Sequence, residues 1–203
     1  MLLISGYSVN FPTGKYCKES IIKYCNKFNH NYFTSESNLF IHPYSFKPKL
    51  LLSFLNAFKY ICWIDADALI TRFDIDFLNK LVLSKKDLYI SKDHNDYNNG
   101  FFIIKSSLKM EKFLNDWYVG IINRKFKKEH DQDIFIKIFK NYYLDIELID
   151  QKKYNAYPYK EIEAYGLPKI ENCNQWDKNS YILHLCGINN ISRLEILNKI
   201  WKY

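Results

Sequence analysis

The chain has 203 residues, of which 48% are hydrophobic and 18% aromatic, and it carries a formal net charge of +7. This size and composition suit one compact domain over residues 1–203, and no apolar run approaches the ~20 residues needed to cross a bilayer. Five cysteines without a C-x-x-C pair argue against a zinc site and a disulfide framework, and the scarcity of arginine argues against sequence-specific DNA binding.

The N-terminal region shows a strand pattern and then a helical pattern. The stretch MLLISGYSVNF lacks the basic start and the long apolar segment of a signal peptide, and its short apolar run predicts a strand over residues 1–5 that ends at Gly6. Apolar residues at helical spacing in KESIIKYCNKF predict a helix next. Without a leader, and with an odd number of cysteines, the expected location is cytoplasmic and reducing.

The middle of the chain alternates between strand and helix signals. The run YICWI at 60–64 is short, apolar and rich in β-branched and aromatic residues, which is typical of a buried parallel strand. A helix is predicted to begin at Pro48 and to run to residue 58, since proline suits the first position of a helix. Further strands are predicted at 32–33, 39–41, 88–91, 101–104, 145–149 and 181–185, and further helices at 107–120 and 131–142. This alternation predicts an α/β domain with a mostly parallel sheet.

Two carboxylates follow the buried strand directly, in the stretch CWIDADALI. Asp65 and Asp67 would therefore lie at the carboxyl end of a strand, where open α/β sheets bind their ligands. Two like charges so close need a cation between them or a proton on one of them. A hard divalent cation would meet that need and could stabilise charge on a departing diphosphate. The simpler alternative is that one carboxylate caps the next helix while the other is solvated.

Three further stretches could complete such a site. Gly100 in YNNGFFIIKSS could let a ligand approach closely or adopt a positive φ, with a plain turn as the alternative. Asp131 and Asp133 in EHDQDIF open a helix, where they could cap it or contact a sugar or an acceptor hydroxyl. His184 in YILHLCG becomes a metal-ligand candidate only if its strand ends beside Asp67, and is otherwise a core histidine.

Taken in order, these stretches resemble the metal-dependent nucleotide-sugar transferases of the GT-A fold, in particular the fungal and plant α-galactosyl-, α-mannosyl- and xylosyltransferases. That family carries a lysine-bearing helix, a W-[IL]-D-A-D-A block, an N-x-G strand, a D/E-Q block and H-x-x-G. The corresponding residues here are Lys49, WIDADA at 63–68, NNG at 98–100, DQ at 131–132 and HLCG at 184–187. The resemblance covers about residues 1–190 and implies a Rossmann-like three-layer α/β sandwich.

The resemblance also implies a role for each matching residue. Asp65, Asp67 and His184 would ligate Mn²⁺ or Mg²⁺, with Asp65 placed to contact the ribose as well. The nucleotide-sugar would be held by Gly6, Tyr7, Ser8, Lys49, Asp65, Asn98, Gly100 and Gly187. Among these, Tyr7 would offer a stacking face to the nucleoside. Asp131, Gln132 and Asp133 would be the catalytic candidates on the reactive face of the sugar.

The expected reaction moves a sugar from a nucleotide-diphospho-sugar donor, such as a UDP-sugar, to a hydroxyl of a glycan or glycoconjugate acceptor. In an inverting enzyme Asp131 or Asp133 would deprotonate that hydroxyl, whereas a retaining enzyme needs no opposite-face base and Gln132 could lie below the sugar ring. The family retains configuration, and retention is expected here.

One departure from the family pattern concerns phosphate binding. Family members usually carry a phosphate-binding lysine two residues past the glycine of H-x-x-G, and this chain has Asn189 there. Either Arg193 or a lysine elsewhere takes that role, or the diphosphate is held less tightly.

Two other functions fit parts of the sequence. An aspartate-based phosphohydrolase also carries D-x-D after a strand, with the first aspartate as nucleophile. Its motif usually lies on the first strand with Thr or Val two residues on, whereas Leu69 stands at that position here. A non-enzymatic glycan- or nucleic-acid-binding module would use lysine-rich stretches such as RKFKKEH, although such a run is more often a solvated face. We expect no nucleic-acid partner and no transmembrane segment.

Overall fold

The computed structural model describes residues 1–36, 43–123, 130–158 and 175–200. Its central sheet consists of β1 (Leu2–Tyr7), β2 (Asn31–Glu36), β3 (Tyr60–Ile64), β5 (Leu88–Asp93), β6 (Asp96–Lys105) and β7 (Ile146–Leu148). These strands lie in the order β2-β1-β3-β6-β5-β7. Strand β6 runs antiparallel to both of its neighbours, while the pairs β1–β2, β1–β3 and β5–β7 are parallel. Two short strands, β4 (Ala68–Ile70) and β8 (Ile182–His184), form a separate antiparallel pair.

Helices lie on both faces of the central sheet. They are α1 (Gly14–Phe28), α2 (Phe46–Phe54), α3 (Phe77–Leu81), α4 (Leu108–Ile122), α5 (Asp131–Phe139), α6 (Gln151–Tyr154) and α7 (Asn190–Ile200), with 3₁₀ turns at Pro43–Ser45 and Val82–Ser84. The architecture is the α/β sandwich that the sequence predicts, with a mostly parallel central sheet.

The layers follow from the alternation of side chains along each strand. In β3, Ile61 and Trp63 face a core formed with α2, α4 and α5, while Cys62 and Ile64 face a second core formed with α1 and α3. The strand is therefore buried on both faces, which explains why its sequence is continuously apolar. A third cluster joins the β4–β8 pair to α7.

The predicted elements agree with the structure most closely where burial is complete. The strand predicted at 60–64 is confirmed residue for residue as β3. The helix predicted to begin at Pro48 was placed wrongly, because α2 begins at Phe46 and ends at Phe54. Proline lacks an N–H, and since the first-turn N–H groups of a helix have no partner within it, Pro48 fits at the third position as well as the first.

Several elements differ from expectation or were not expected. The sequence pattern did not indicate the short strand β4, the helix α3 or the C-terminal helix α7. The strand predicted at 39–41 lies outside the described residues. Among the helices that the structure describes, none has the length and apolar character needed to cross a bilayer.

Candidate active site

The acidic pair lies in a turn whose backbone is fixed on several sides. The Asp65 N–H donates to the Gly100 carbonyl at 2.8 Å, which extends the β3–β6 ladder by one residue. The Ala66 carbonyl between the two acids accepts from the Thr13 hydroxyl at 2.8 Å, and the Asp67 carbonyl accepts from the Leu185 N–H at 2.8 Å. The turn thus connects the central sheet, the start of α1 and the β4–β8 pair.

Three side chains from two distant parts of the chain meet at this turn. Strand β8 pairs with β4 so that His184 lies opposite Ala68, and this brings its imidazole beside the acidic pair. One ligand atom from each of Asp65, Asp67 and His184 lies within 4.8 Å of the others. The condition that the sequence set for His184, namely that its strand ends beside Asp67, is met.

The protonation pattern around His184 fits a cation at this position. Its Nδ1 lies 2.6 Å from the Asn155 amide oxygen, which only accepts hydrogen bonds, so Nδ1 carries a proton. Its Nε2 then faces the Asp67 carboxylate at 3.4 Å. Nε2 and the carboxylate are both acceptors, so this contact is favourable only when a proton or a metal cation lies between them. Carboxylate oxygen and imidazole nitrogen together suit a divalent metal such as Mn²⁺.

The side chain of His184 explains why residue 100 is a glycine. A Cβ added at this position would lie 2.1 Å from Cε1 of the His184 ring. The residue is not in the positive-φ region, because Gly187 is the positive-φ glycine of the described residues, at 72°. Of the two alternatives that the sequence left open at Gly100, the positive φ is therefore wrong, and the close neighbour that excludes a side chain here is the imidazole.

A buried lysine balances the acids on the other side of the turn. Lys47, on α2, is 7% exposed. Its Nζ lies 2.9 Å from Asp65 Oδ1 and 3.0 Å from Asp131 Oδ2, and it donates to the Asn99 backbone carbonyl at 3.0 Å. Burial disfavours the charged amine, but Asp131 and Asp65 outweigh burial and raise the pKa of Lys47. The lysine that reaches the cluster is thus Lys47, whereas Lys49, which the sequence suggested, is exposed.

The two acids of the pair have opposite electrostatic environments. Burial, together with repulsion from Asp67 and Asp131, raises the pKa of Asp65 even though Lys47 opposes the shift. Burial also acts to raise the pKa of Asp67, but when Nε2 of His184 carries a proton and donates to the carboxylate, the hydrogen bond and charge of His184, together with the charge of Arg193, lower it to about 2. Asp67 therefore holds its negative charge to lower pH than Asp65 does.

Arg193 is the cation next to Asp67. Its Nη2 lies 2.6 Å from Asp67 Oδ2, and its Nε donates to the Leu185 carbonyl at 3.0 Å. Sequence reasoning had suggested it only as a substitute for the missing lysine at Asn189. The Asn189 side chain instead accepts from the Ser192 N–H at 3.0 Å, so it caps the first turn of α7.

The three catalytic candidates of α5 have different surroundings in the structure. Asp131 joins the cluster, because its Oδ2 accepts from the Asn99 amide at 3.1 Å in addition to its ion pair with Lys47. Asp133 is exposed and accepts from the His130 N–H at 2.9 Å, which is the capping role that the sequence left open. Gln132 is half-buried between them.

The residues expected to hold a nucleoside lie at the end of β1 and are partly covered. A Cβ at Gly6 would lie 1.9 Å from the Phe46 ring, so this glycine allows α2 to pack on β1. Tyr7 is 8% exposed and lies over Gly14, which leaves little of its ring for stacking, while Ser8 is exposed.

Two further members of that predicted set, Asn98 and Gly187, differ in their surroundings. The Asn98 amide donates to Asp93 at 2.6 Å and to the Tyr157 hydroxyl at 2.8 Å, and its oxygen accepts from the Gly100 N–H at 2.8 Å. Gly187 is exposed, and a Cβ there would meet no atom within 4 Å.

Sequence reasoning missed Lys47, Asn99 and Asn155. A lysine between Phe46 and Pro48 at a helix start was a weak local signal for the first, and the doubled asparagine before Gly100 was one for the second. For Asn155 no local signal exists, because its partner His184 lies 29 residues away.

Comparison with known proteins gives one family match and several similar folds. The family model described as nucleotide-diphospho-sugar transferase matches residues 12–192. A glycosyltransferase involved in the glycosylation of the major capsid of PBCV-1 has a similar structure, with a TM-score of 0.77, 13% identity, and 98% of each chain covered. No curated protein sequence matches.

Two larger proteins contain a similar fold. The bifunctional glycosyltransferase WbbM matches with a TM-score of 0.63 and 11% identity over 95% of this chain and 48% of its own. The glycosyltransferase GlyE of Streptococcus pneumoniae TIGR4 matches with a TM-score of 0.56 and 13% identity over 100% of this chain and 64% of its own.

Proposed function

Because the chain belongs to the nucleotide-diphospho-sugar transferase family, we propose that it transfers a sugar from a UDP-sugar to a hydroxyl of a glycan or glycoconjugate, with the help of a divalent cation. The observation that carries this proposal is the convergence of Asp65, Asp67 and His184 at one end of the sheet. These residues come from segments more than 100 positions apart, so nothing local requires them to meet. Mn²⁺ is the preferred cation because the set combines two carboxylates with an imidazole.

The roles of the metal and of the protein can be separated. When bound, the divalent cation supplies Lewis-acid stabilisation of the negative charge on the departing nucleoside diphosphate. Asp65, Asp67 and Nε2 of His184 would hold it, and Asn155 orients the imidazole through Nδ1. The fixed backbone of the Asp65–Asp67 turn keeps the two carboxylates in place before the donor arrives, so little reorganisation accompanies binding.

The arrangement of α5 favours retention of configuration. An inverting enzyme needs a carboxylate free to take the proton of the acceptor hydroxyl. Asp131 is engaged by the ammonium of Lys47 and by the Asn99 amide, and Asp133 is exposed and engaged at the start of α5. Gln132, between them, then remains as the candidate for a polar contact to the sugar ring.

The two alternative functions receive less support. In an aspartate-based phosphohydrolase the first aspartate of the motif must act as a nucleophile. Here Asp65 Oδ1 accepts from the Trp63 indole at 2.6 Å and pairs with Lys47 at 2.9 Å, and both contacts make this oxygen a weaker nucleophile. A binding module without catalysis would not need a metal-ligand set inside the strand-end site. The family match favours neither alternative.

The proposal is tested with a panel of sugar nucleotides, each with Mn²⁺ or with EDTA. We expect a UDP-sugar to raise the melting temperature and to be turned over only with Mn²⁺, because a ligand of the folded state stabilises it with increasing concentration. Asp67→Asn should reduce turnover by about a hundredfold or more, since the metal supplies several kcal/mol. Asp74→Asn is the matched control, because Asp74 is an acid that pairs with Arg72 outside the site. Full turnover in EDTA, or by Asp67→Asn, would contradict the proposal.

A further inference from the structure

Four contacts hold the guanidinium of Arg193. It pairs with Asp67 through Nη2 at 2.6 Å, and it donates through Nε to the Leu185 carbonyl at 3.0 Å and through Nη1 to the Asn190 side-chain oxygen at 3.3 Å. Its central carbon lies 5.3 Å from the centre of the Phe11 ring. Its side chain is only 12% exposed. An arginine fixed in this way is part of the site and not a surface charge that happens to lie nearby.

The position of Arg193 is set by the same packing that forms the metal-ligand set. Helix α7 packs Ile196 and Leu197 into a core shared with Leu69 of β4 and Leu183 of β8. The acidic turn lies directly before β4 and His184 lies in β8, so this small core holds the backbone of Arg193 near Asp67. Phe11, on its other side, belongs to the segment between β1 and α1.

Charge balance makes Arg193 a competitor of the metal. One carboxylate, Asp67, serves both as a metal-ligand candidate and as the partner of the guanidinium. A divalent cation beside Asp67 repels Arg193 and shares its counter-ion, which weakens the ion pair. A guanidinium released there has donors left for a new anion, and the planar fork of arginine matches a phosphate in a bidentate way.

We propose that Arg193 neutralises Asp67 before the donor binds and then passes to the diphosphate of the donor, so that the divalent cation and the nucleoside diphosphate bind cooperatively through this side chain. The proposal rests on the proposed function, because it requires a metal at Asp67 and a diphosphate donor. It adds that Arg193 lowers the affinity for the metal alone and raises the affinity for the diphosphate.

The test measures binding to the intact chain without any turnover. Calorimetric titrations give the affinity for Mn²⁺ alone, and the affinity for UDP and for inorganic pyrophosphate at saturating Mn²⁺. In Arg193→Gln we expect Mn²⁺ alone to bind about three- to tenfold more tightly, since a nearby positive charge is gone. We expect UDP and pyrophosphate to bind about ten- to a hundredfold more weakly, since a charged hydrogen-bond donor is lost.

Two further variants make the result interpretable. Arg193→Lys keeps the charge but loses the fork, so its Mn²⁺ affinity should stay near that of the wild type while UDP binding falls by about three- to tenfold. This variant carries the test if Arg193→Gln does not fold. Lys199→Gln removes one positive charge from the same helix and should change neither affinity.

The opposite pattern overturns the proposal. If Arg193→Gln binds Mn²⁺ more weakly and UDP as well as the wild type does, Arg193 only holds Asp67 in place. If UDP affinity is unchanged in both Arg193 variants, the transfer to the diphosphate is wrong while the proposed function stands. A wild-type chain that binds neither Mn²⁺ nor UDP would instead overturn the proposed function, and this inference with it.

Discussion

Replacing Gly100 by alanine should damage the candidate metal site through a single methyl group. The added Cβ would lie 2.1 Å from Cε1 of His184, whereas ordinary van der Waals contact begins at 3.4 Å, so the ring must move by about 1.3 Å. The imidazole has little freedom to do so, because His184 is 2% exposed and its Nδ1 is bound to Asn155 at 2.6 Å. Overpacking of this kind costs about 1–3 kcal/mol of stability, and a displaced metal ligand costs about ten- to a hundredfold in metal affinity.

The assay combines urea unfolding with a Mn²⁺ titration of Gly100→Ala. Gly120→Ala is the comparison variant, because it adds the same methyl group on α4, where the nearest atom, Cγ2 of Ile134, lies 2.9 Å away and has to give by only about 0.5 Å to reach 3.4 Å. A second test places Gly100→Ala in a His184→Ala background, where the clashing ring is absent and the stability loss should largely disappear. Wild-type stability and Mn²⁺ affinity in Gly100→Ala would refute the reasoning, as would an equal stability loss in both backgrounds.

Two further predictions concern stability. Lys47→Met should lower the free energy of unfolding by about 3 kcal/mol or more, because it leaves the Asp65 and Asp131 carboxylates facing each other without their shared cation. Lys49 is exposed, so Lys49→Met should change the free energy of unfolding by no more than about 0.5 kcal/mol. If Lys47→Met and Lys49→Met lose the same stability in urea unfolding, Lys47 is not the cation that the two carboxylates share. Asp76→Ala should cost about 1 kcal/mol at pH 7, because Asp76 caps α3. Burial acts to raise the pKa of Asp76, but the hydrogen bonds from His30, Asn79 and Tyr24 lower it. The contribution of Asp76 to stability is therefore present above about pH 4 and is lost as the pH falls through the lowered pKa. The loss measured at pH 3 should therefore be smaller than at pH 7, and an equal loss would contradict this sign.

The sequence pattern predicted the parts of the site that local burial determines. YICWI is apolar on both faces because β3 is covered on both faces, and a strand of that kind must end where the chain turns polar. Asp65 and Asp67 are therefore readable as strand-end carboxylates without any knowledge of their neighbours. Asp133 shows the limit of such reading, since the same residue type at a helix start serves equally well as a cap or as a catalytic group.

The contact of Lys47, and not of Lys49, with the acidic cluster has a geometric cause. Two residues along an α-helix differ by about 200° around the axis, so a shift of two positions moves a side chain to the opposite face. Pro48 allowed two different helix starts, and only the packing of Phe46 against Gly6 fixes which face of α2 meets the sheet. The sequence could predict that a lysine of this helix reaches the site, but not which one.

What the amino-acid sequence determined by itself is the alternation of the principal strands and helices, the acidic pair at the end of a buried strand and the family pattern, since all of these depend on neighbours close in the chain. What only the tertiary structure decided is the balance of charge around that pair. Lys47, Arg193 and Asn155 reach it from α2, α7 and the segment after α6, at sequence distances of 18, 126 and 29 residues from Asp65, Asp67 and His184, respectively. Electrostatic and hydrogen-bond energies depend on distances in space and on burial, and neither is written in the spacing of residues along the chain.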